Sequence, residues 1–211
     1  MRLIIFDLDG TLIDSAQMIL AAQGRAFAAL GLPVPPDSAL LGVVGLSLPE
    51  TFLTLCGQDA PIEALADAYK AAWRQLLDEG RAPMPYAGAD ALVRTLAART
   101  DVILGIATGK TRKGVDDLIV QFGWEGLFAA VQTADSAPSK PHPGMVLQAL
   151  AQTGVAASDC VMIGDTSFDM DMARDAGVRS VAVTWGFHDH VDIAHADIVV
   201  DDFDGLLRAL A

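Results

Sequence analysis

Short apolar runs recur along the chain, and the segments between them are helical in pattern. "RLIIF" (2–6), "DVILGIA" (101–107), "CVMIG" (160–164) and "RSVAVT" (179–184) are nearly continuous in apolar residues; "FAAVQ" (128–132) and "ADIVV" (196–200) are weaker versions. A strand without polar alternation is buried on both faces, the condition of a strand inside a parallel sheet. Between the runs, "ADALVRTLAAR" (89–99), "KGVDDLIVQFG" (113–123), "GMVLQALAQTG" (144–154) and "SFDMDMARDAG" (167–177) each set apolar residues on one helical face. Three of these four end at a glycine, a usual helix stop. Parallel strands require crossovers, and helices supply them. The chain therefore reads as α/β: a doubly wound parallel sheet.

One block breaks the rhythm. From Asp14 to about Pro83 the pattern is helical throughout, in "SAQMILAAQGRAFAALG" (15–31), "LPETFLTLCG" (48–57) and "IEALADAYKAAWRQLLDEG" (62–80). Proline-rich punctuation at "LPVPP" (32–36) and "RAPMPYAG" (81–88) divides it. The expected organisation is a catalytic core of residues 1–13 and 84–211 with an all-helical insert, 14–83, after the first strand. Such an insert would sit over the C-terminal edge of the sheet, where open α/β folds bind ligands. Proline and glycine near both junctions predict that it hinges.

With 211 residues, 52% of them hydrophobic and 19% charged, the chain can bury a large domain or a core with an insert. No apolar run approaches the length of a bilayer span, and Leu3–Phe6 is too short for a secretory core. Cys56 and Cys160 lie far apart and suit reduced thiols, so the expected location is cytoplasmic. A net charge of −13 repels nucleic acid but permits a small anionic substrate, provided a metal ion reverses the local sign. The expected partner is a small phosphorylated metabolite, without nucleic acid or membrane; composition sets no oligomeric state.

The first strand runs into Asp7 and Asp9, one leucine apart, and residues two apart in an extended strand point the same way. Two unpaired carboxylates there repel. A solvated Asp-Gly turn accounts for "DLDG" as well as a reactive site does, and both readings stand on that stretch alone. "MIGDTSFDM" (162–170) repeats the design: a buried strand ends in Asp165, and Asp169 follows in the first turn of a helix. Either acid suits a plain helix cap. If both strands are central, three or four acids converge in one crevice, and oxygen-only ligands suit Mg²⁺. Thr108 and Gly109 end a third strand with a hydroxyl and an open backbone N–H, a common phosphate site and a common turn. Lys140 lies between Pro138 and Pro141 in a chain with only three other lysines, which suits a fixed phosphate counter-charge.

In order, Asp7-Leu8-Asp9-Gly10-Thr11, Thr108, Lys140 and Gly164-Asp165 through Asp169 resemble the haloacid dehalogenase superfamily of phosphohydrolases, over nearly the whole chain. The insert looks like the small cap of its phosphoglycolate phosphatase and β-phosphoglucomutase branch. The resemblance implies a Mg²⁺-dependent phosphatase. In it Asp7 is the nucleophile that forms an aspartyl-phosphate, and Asp9 the acid and base. Leu8, Asp9, Thr108, Gly109 and Lys140 would hold the phosphoryl group. Asp7, the backbone carbonyl of Asp9, and Asp165 would hold the metal, with Asp169 ligating or bracing it. A dehalogenase has no use for Asp9, Asp165 or Asp169. Pyrophosphate hydrolysis and a catalytically silent binding module are the alternatives on the same scaffold.

The family's cap usually selects the leaving group, and "ALLGVVGLSLPETF" (39–52) resembles its selecting loop. From Pro33 to Ala68 there is no lysine or arginine, which disfavours a mutase that must hold a second phosphate. A small phosphate monoester is expected. Arg25, Lys70 and Arg74 could meet a carboxylate such as phosphoglycolate's, but read first as helix-surface charges. His142 reads as structural or solvated, and His188, His190 and His195 are not expected to be ligands.

Overall fold

The computed structural model describes residues 1–210; Ala211, the last of the 84–211 segment, lies outside the described residues. In chain order the elements are β1 (Arg2–Phe6), β2 (Ile13–Asp14), α1 (Ala16–Ala29), α2 (Asp37–Leu41), α3 (Leu48–Cys56) and α4 (Ile62–Asp78). Then come β3 (Met84–Pro85), α5 (Ala89–Ala97), β4 (Val102–Thr108), α6 (Arg112–Phe122), β5 (Phe128–Thr133) and α7 (Gly144–Thr153). A short 3₁₀ turn leads to β6 (Cys160–Gly164), α8 (Ser167–Asp175), β7 (Arg179–Val183), α9 (His190–Ile193), β8 (Ile198–Val200) and α10 (Phe203–Ala209).

Six strands form one parallel sheet in the order β5-β4-β1-β6-β7-β8. The chain winds outward from β1 through β4 to β5, then returns to the other side of β1 with β6. This is a doubly wound arrangement whose switch point lies between β1 and β6, and it opens a crevice at their C-terminal ends. The unalternating apolar runs are explained by the two layers of helix. In β1, Ile4 and Phe6 pack on one face with α5, α6 and α10, while Leu3 and Ile5 pack on the other with α7 and α8.

Helices α1 to α4 add no strand and have their own apolar centre, where Phe27, Phe52 and Tyr69 meet edge to face. A short ribbon joins the two ends of this block: β2 and β3 pair antiparallel, Ile13 with Pro85 and Asp14 with Met84. Two residues are too few to show a period, so this ribbon has no sequence signature. Among the described residues no helix is long and apolar enough to cross a membrane, and Cys56 and Cys160 are free thiols.

Candidate active site

β1 and β6 lie side by side, Phe6 against Ile163, and the Asp7 N–H extends the ladder to the Ile163 carbonyl at 2.9 Å. Neighbouring parallel strands end together, so Asp7 and Asp165 emerge at the same level of one crevice. Asp169 joins them from the first turn of α8. One oxygen from each of the three lies within 4.8 Å of the others, and all three residues are buried.

The three differ in their partners. Asp165 accepts from the Thr11 hydroxyl and from the Phe187 N–H, both at 2.8 Å. Asp169 is at once a cap and a member of the cluster. Its Oδ2 closes a capping box with the Thr166 hydroxyl and N–H, and its Oδ1 accepts from Lys140 Nζ at 2.7 Å. Asp7 alone has no hydrogen-bond donor on either oxygen. Lys140 Nζ stands 3.0 Å from Asp7 Oδ1, an ion contact without hydrogen-bond direction. Gly10 turns the chain away at a positive φ of 82°, and a Cβ there would strike the Asp165 carboxylate.

Three buried carboxylates share one ammonium, and the charges respond to the mismatch. Burial raises Asp7 to about 7 against the pull of Lys140, with Asp169 and Asp9 adding to the rise. Burial also raises Asp165 well above the carboxylate range, helped by Asp169 and Asp7. Burial disfavours the Lys140 charge, but Asp169 and Asp7 overcome that and raise its pKa. Donorless oxygens, excess negative charge and an oxygen-only ligand set fit a hard divalent cation held by Asp7 and Asp165, with Asp169 beside them.

The Asp9 carboxylate points elsewhere. Its Oδ1 accepts from the Ser15 hydroxyl at 2.6 Å, and its Oδ2 pairs with Lys110 Nζ at 2.8 Å. Thr108 ends β4, beside β1, and is buried. Gly109 has no room for a side chain, since a Cβ would lie 2.5 Å from the Leu46 carbonyl and 2.6 Å from that of Gly45. Leu8 buries its side chain in the core, which leaves only its backbone for a part in phosphate binding. The Lys140–Pro141 peptide is cis.

The helical block closes over these groups. The Ser47 N–H donates to Ser139 Oγ at 2.9 Å. His188 accepts from the Ser167 N–H at Nδ1, and its Nε2 lies 3.1 Å from the Gly42 carbonyl, so the neutral Nε2–H tautomer satisfies both. Lys110 Nζ lies 4.7 Å from the centre of the Trp73 ring on α4. The resulting cavity, about 400 Å³, runs from Asp7 and Asp9 to Tyr69, Trp73, Lys70 and Arg74. Arg25 is not on its wall and pairs with Glu79 at 2.8 Å.

Sequence reasoning missed Lys110, Ser15, Tyr69, Trp73 and the docking role of His188. Lys110 had a signal, because it follows Thr108-Gly109 at a strand end in a lysine-poor chain. The others read as an ordinary cap residue, core aromatics and a polar loop.

Residues 4–183 match the haloacid dehalogenase-like hydrolase family. The chain is 32% identical to a protein named probable phosphatase IndB from Dickeya dadantii, covering 98% of this chain and 92% of that one. It is 34% identical to a phosphoglycolate phosphatase of Xanthomonas campestris pv. campestris, over 88% of this chain and 84% of the relative. A solved haloacid dehalogenase-like family hydrolase from Streptococcus pneumoniae superposes with a TM-score of 0.86 at 28% identity, covering 100% of this chain and 99% of the other.

Proposed function

The chain belongs to the haloacid dehalogenase-like hydrolases, and on that premise we propose that it is a Mg²⁺-dependent phosphatase of small phosphate monoesters. One observation carries the reading. Asp7 holds both carboxylate oxygens buried without a hydrogen-bond donor, beside Asp165, Asp169 and Lys140, at the switch point of the sheet.

In this reading an Asp7 oxygen attacks phosphorus, and the bond from phosphorus to the alcohol oxygen breaks. Asp9, held by Ser15, enters this step protonated, its Oδ2 released from Lys110, and gives that proton to the departing oxygen. Asp9 then takes a proton from water as the water oxygen bonds to phosphorus. The bond from Asp7 to phosphorus breaks, inorganic phosphate leaves, Asp7 is again a carboxylate and Asp9 is again protonated. Thr108, the Gly109 N–H, the backbone at Leu8 and Asp9, and Lys140 offset charge on the transferring group. Asp7, Asp165 and the Asp9 carbonyl would hold Mg²⁺, with Asp169 bracing them through Lys140 and Thr166. The ion would supply positive charge where an anionic nucleophile meets an anionic ester. Residues 14–83 act as a cap that excludes water and meets the alcohol, and 1–13 with 84–211 as the catalytic core. The relative named phosphoglycolate phosphatase makes that ester a candidate substrate.

The test is turnover of p-nitrophenyl phosphate with and without Mg²⁺, by wild type and Asp7→Asn. We expect Mg²⁺-dependent turnover that the substitution lowers at least ~10³-fold. Wild-type turnover no higher than that of Asp7→Asn would leave a binding module as the better reading.

A further inference from the structure

The cavity above Asp9 exceeds what a two-carbon leaving group fills. Its volume of about 400 Å³ lies within the range that encloses ring-sized organic ligands. Away from Asp7 its walls are mixed: Ile19, Leu48, Tyr69, Trp73 and Leu118 give apolar and aromatic surface, and Lys70, Arg74, Lys110 and Lys113 give cationic rims. The Tyr69 and Trp73 rings stand 6.0 Å apart, tilted by 31°. A glycolate would leave these walls wet, and wet apolar surface contributes no binding energy.

Three polar groups on the walls are unmatched. Gln23 is 2% exposed, and its Nε2 donates to the Leu40 carbonyl at 3.4 Å, while its Oε1 meets no donor. Among the described residues the Tyr69 hydroxyl makes no hydrogen bond and Arg74 no ion pair. Burial and the Asp9 charge keep the Tyr69 phenol protonated, so it can donate. A buried acceptor, a free phenol donor, an unpaired guanidinium and the exposed parts of the Tyr69 and Trp73 rings, the latter with Lys110 Nζ over it, describe the complement of a ring with polar substituents.

Resting on the phosphatase reading above, we propose that the leaving group is a ring-bearing alcohol with hydrogen-bonding ring substituents, as in a nucleoside monophosphate or pyridoxine phosphate, and not a two-carbon acid. The ring displaces water from Trp73 and Tyr69, and its polar edge meets Gln23 and the Tyr69 hydroxyl. Contacts this far from phosphorus can still accelerate the reaction, because remote binding energy holds the ester in its reactive pose.

The test measures kcat/KM with Mg²⁺ for adenosine 5′-monophosphate, pyridoxine 5′-phosphate, p-nitrophenyl phosphate and phosphoglycolate. We expect at least one of the first two to exceed phosphoglycolate tenfold or more. Trp73→Ala should reduce that ratio at least fivefold. Tyr69→Phe, which keeps the ring and the packing, should lower the preference for the same ester over p-nitrophenyl phosphate. Phosphoglycolate as the best ester on wild type overturns the inference and leaves the phosphatase reading intact. So do ratios that neither substitution moves. Phosphate release from none of the four removes the phosphatase reading, and this inference with it.

Discussion

At Asp7 the protein keeps a carboxylate buried and without a hydrogen-bond donor, a state that is costly unless a cation answers it. Lys140 answers in part, 3.0 Å from Asp7 and 2.7 Å from Asp169. Removing one partner of a buried ion pair strands the other charge, at about 3–5 kcal/mol. Lys140→Met should therefore destabilise the metal-free protein by roughly that amount in urea titrations, with a smaller loss in Mg²⁺. Activity should fall at the same time. The raised carboxyls give a pH test of the same cluster. Asp7 titrates near 7 when folded and near 3.8 in a model peptide, and Asp165 shifts in the same direction. Between those values the native state binds more protons than the unfolded chain, so metal-free stability falls as pH rises through the window. The slope is up to about 1.4 kcal/mol per pH unit for each group. Mg²⁺ competes with those protons. The rise in Tm on adding Mg²⁺ should accordingly be larger at pH 7.5 than at pH 5, and equal rises would contradict the assignment of the ion to these carboxylates.

At the level of elements, the strand ends position the chemistry and the helix starts orient it. Thr166 caps α8 and also holds Asp169 Oδ2, so one hydroxyl serves fold and site together. Thr166→Ala should cost about 1 kcal/mol of stability and lower kcat by a larger factor than a cap loss explains, because Asp169 is freed. Thr166→Ser should restore both; a variant that loses stability but keeps full kcat would reduce Asp169 to a plain cap. The main strands and helices were legible because each carries an apolar period long enough to read. Strand β6 falls on 160–164 as expected, and α7 starts at Gly144 and stops before Gly154. The β2–β3 ribbon and the five-residue α2 were not legible, since the first is held by pairing and the second is little more than one turn.

Across the whole molecule, the order β5-β4-β1-β6-β7-β8 brings residues 7, 108 and 165 to one edge, and the helical block then covers them. Asp7 is 1% exposed at the base of the cavity, so an ester would meet it beneath the helical block. The β2–β3 ribbon holds both junctions together, which favours movement as one body about that point. Amide exchange at Ser47, whose N–H is held by Ser139, should slow when Mg²⁺ and orthovanadate occupy the crevice. An unchanged rate would speak against closure of this loop over the bound anion. The sequence by itself determined the alternation of strand and helix, the helical interruption and the acids, threonine and lysine at the strand ends. These are local matters, set by side-chain period and chain neighbours. Tertiary structure alone decided that Asp9 faces Ser15 and Lys110 while Asp7 faces Asp165 and Asp169, and that Tyr69 and Trp73 wall the same cavity. The carboxylate pairings join residues from six to more than 150 positions apart, and the direction of a side chain across such a gap depends on packing that no local period records; Tyr69 and Trp73 share a helix face by period, and only packing sets that face on the cavity.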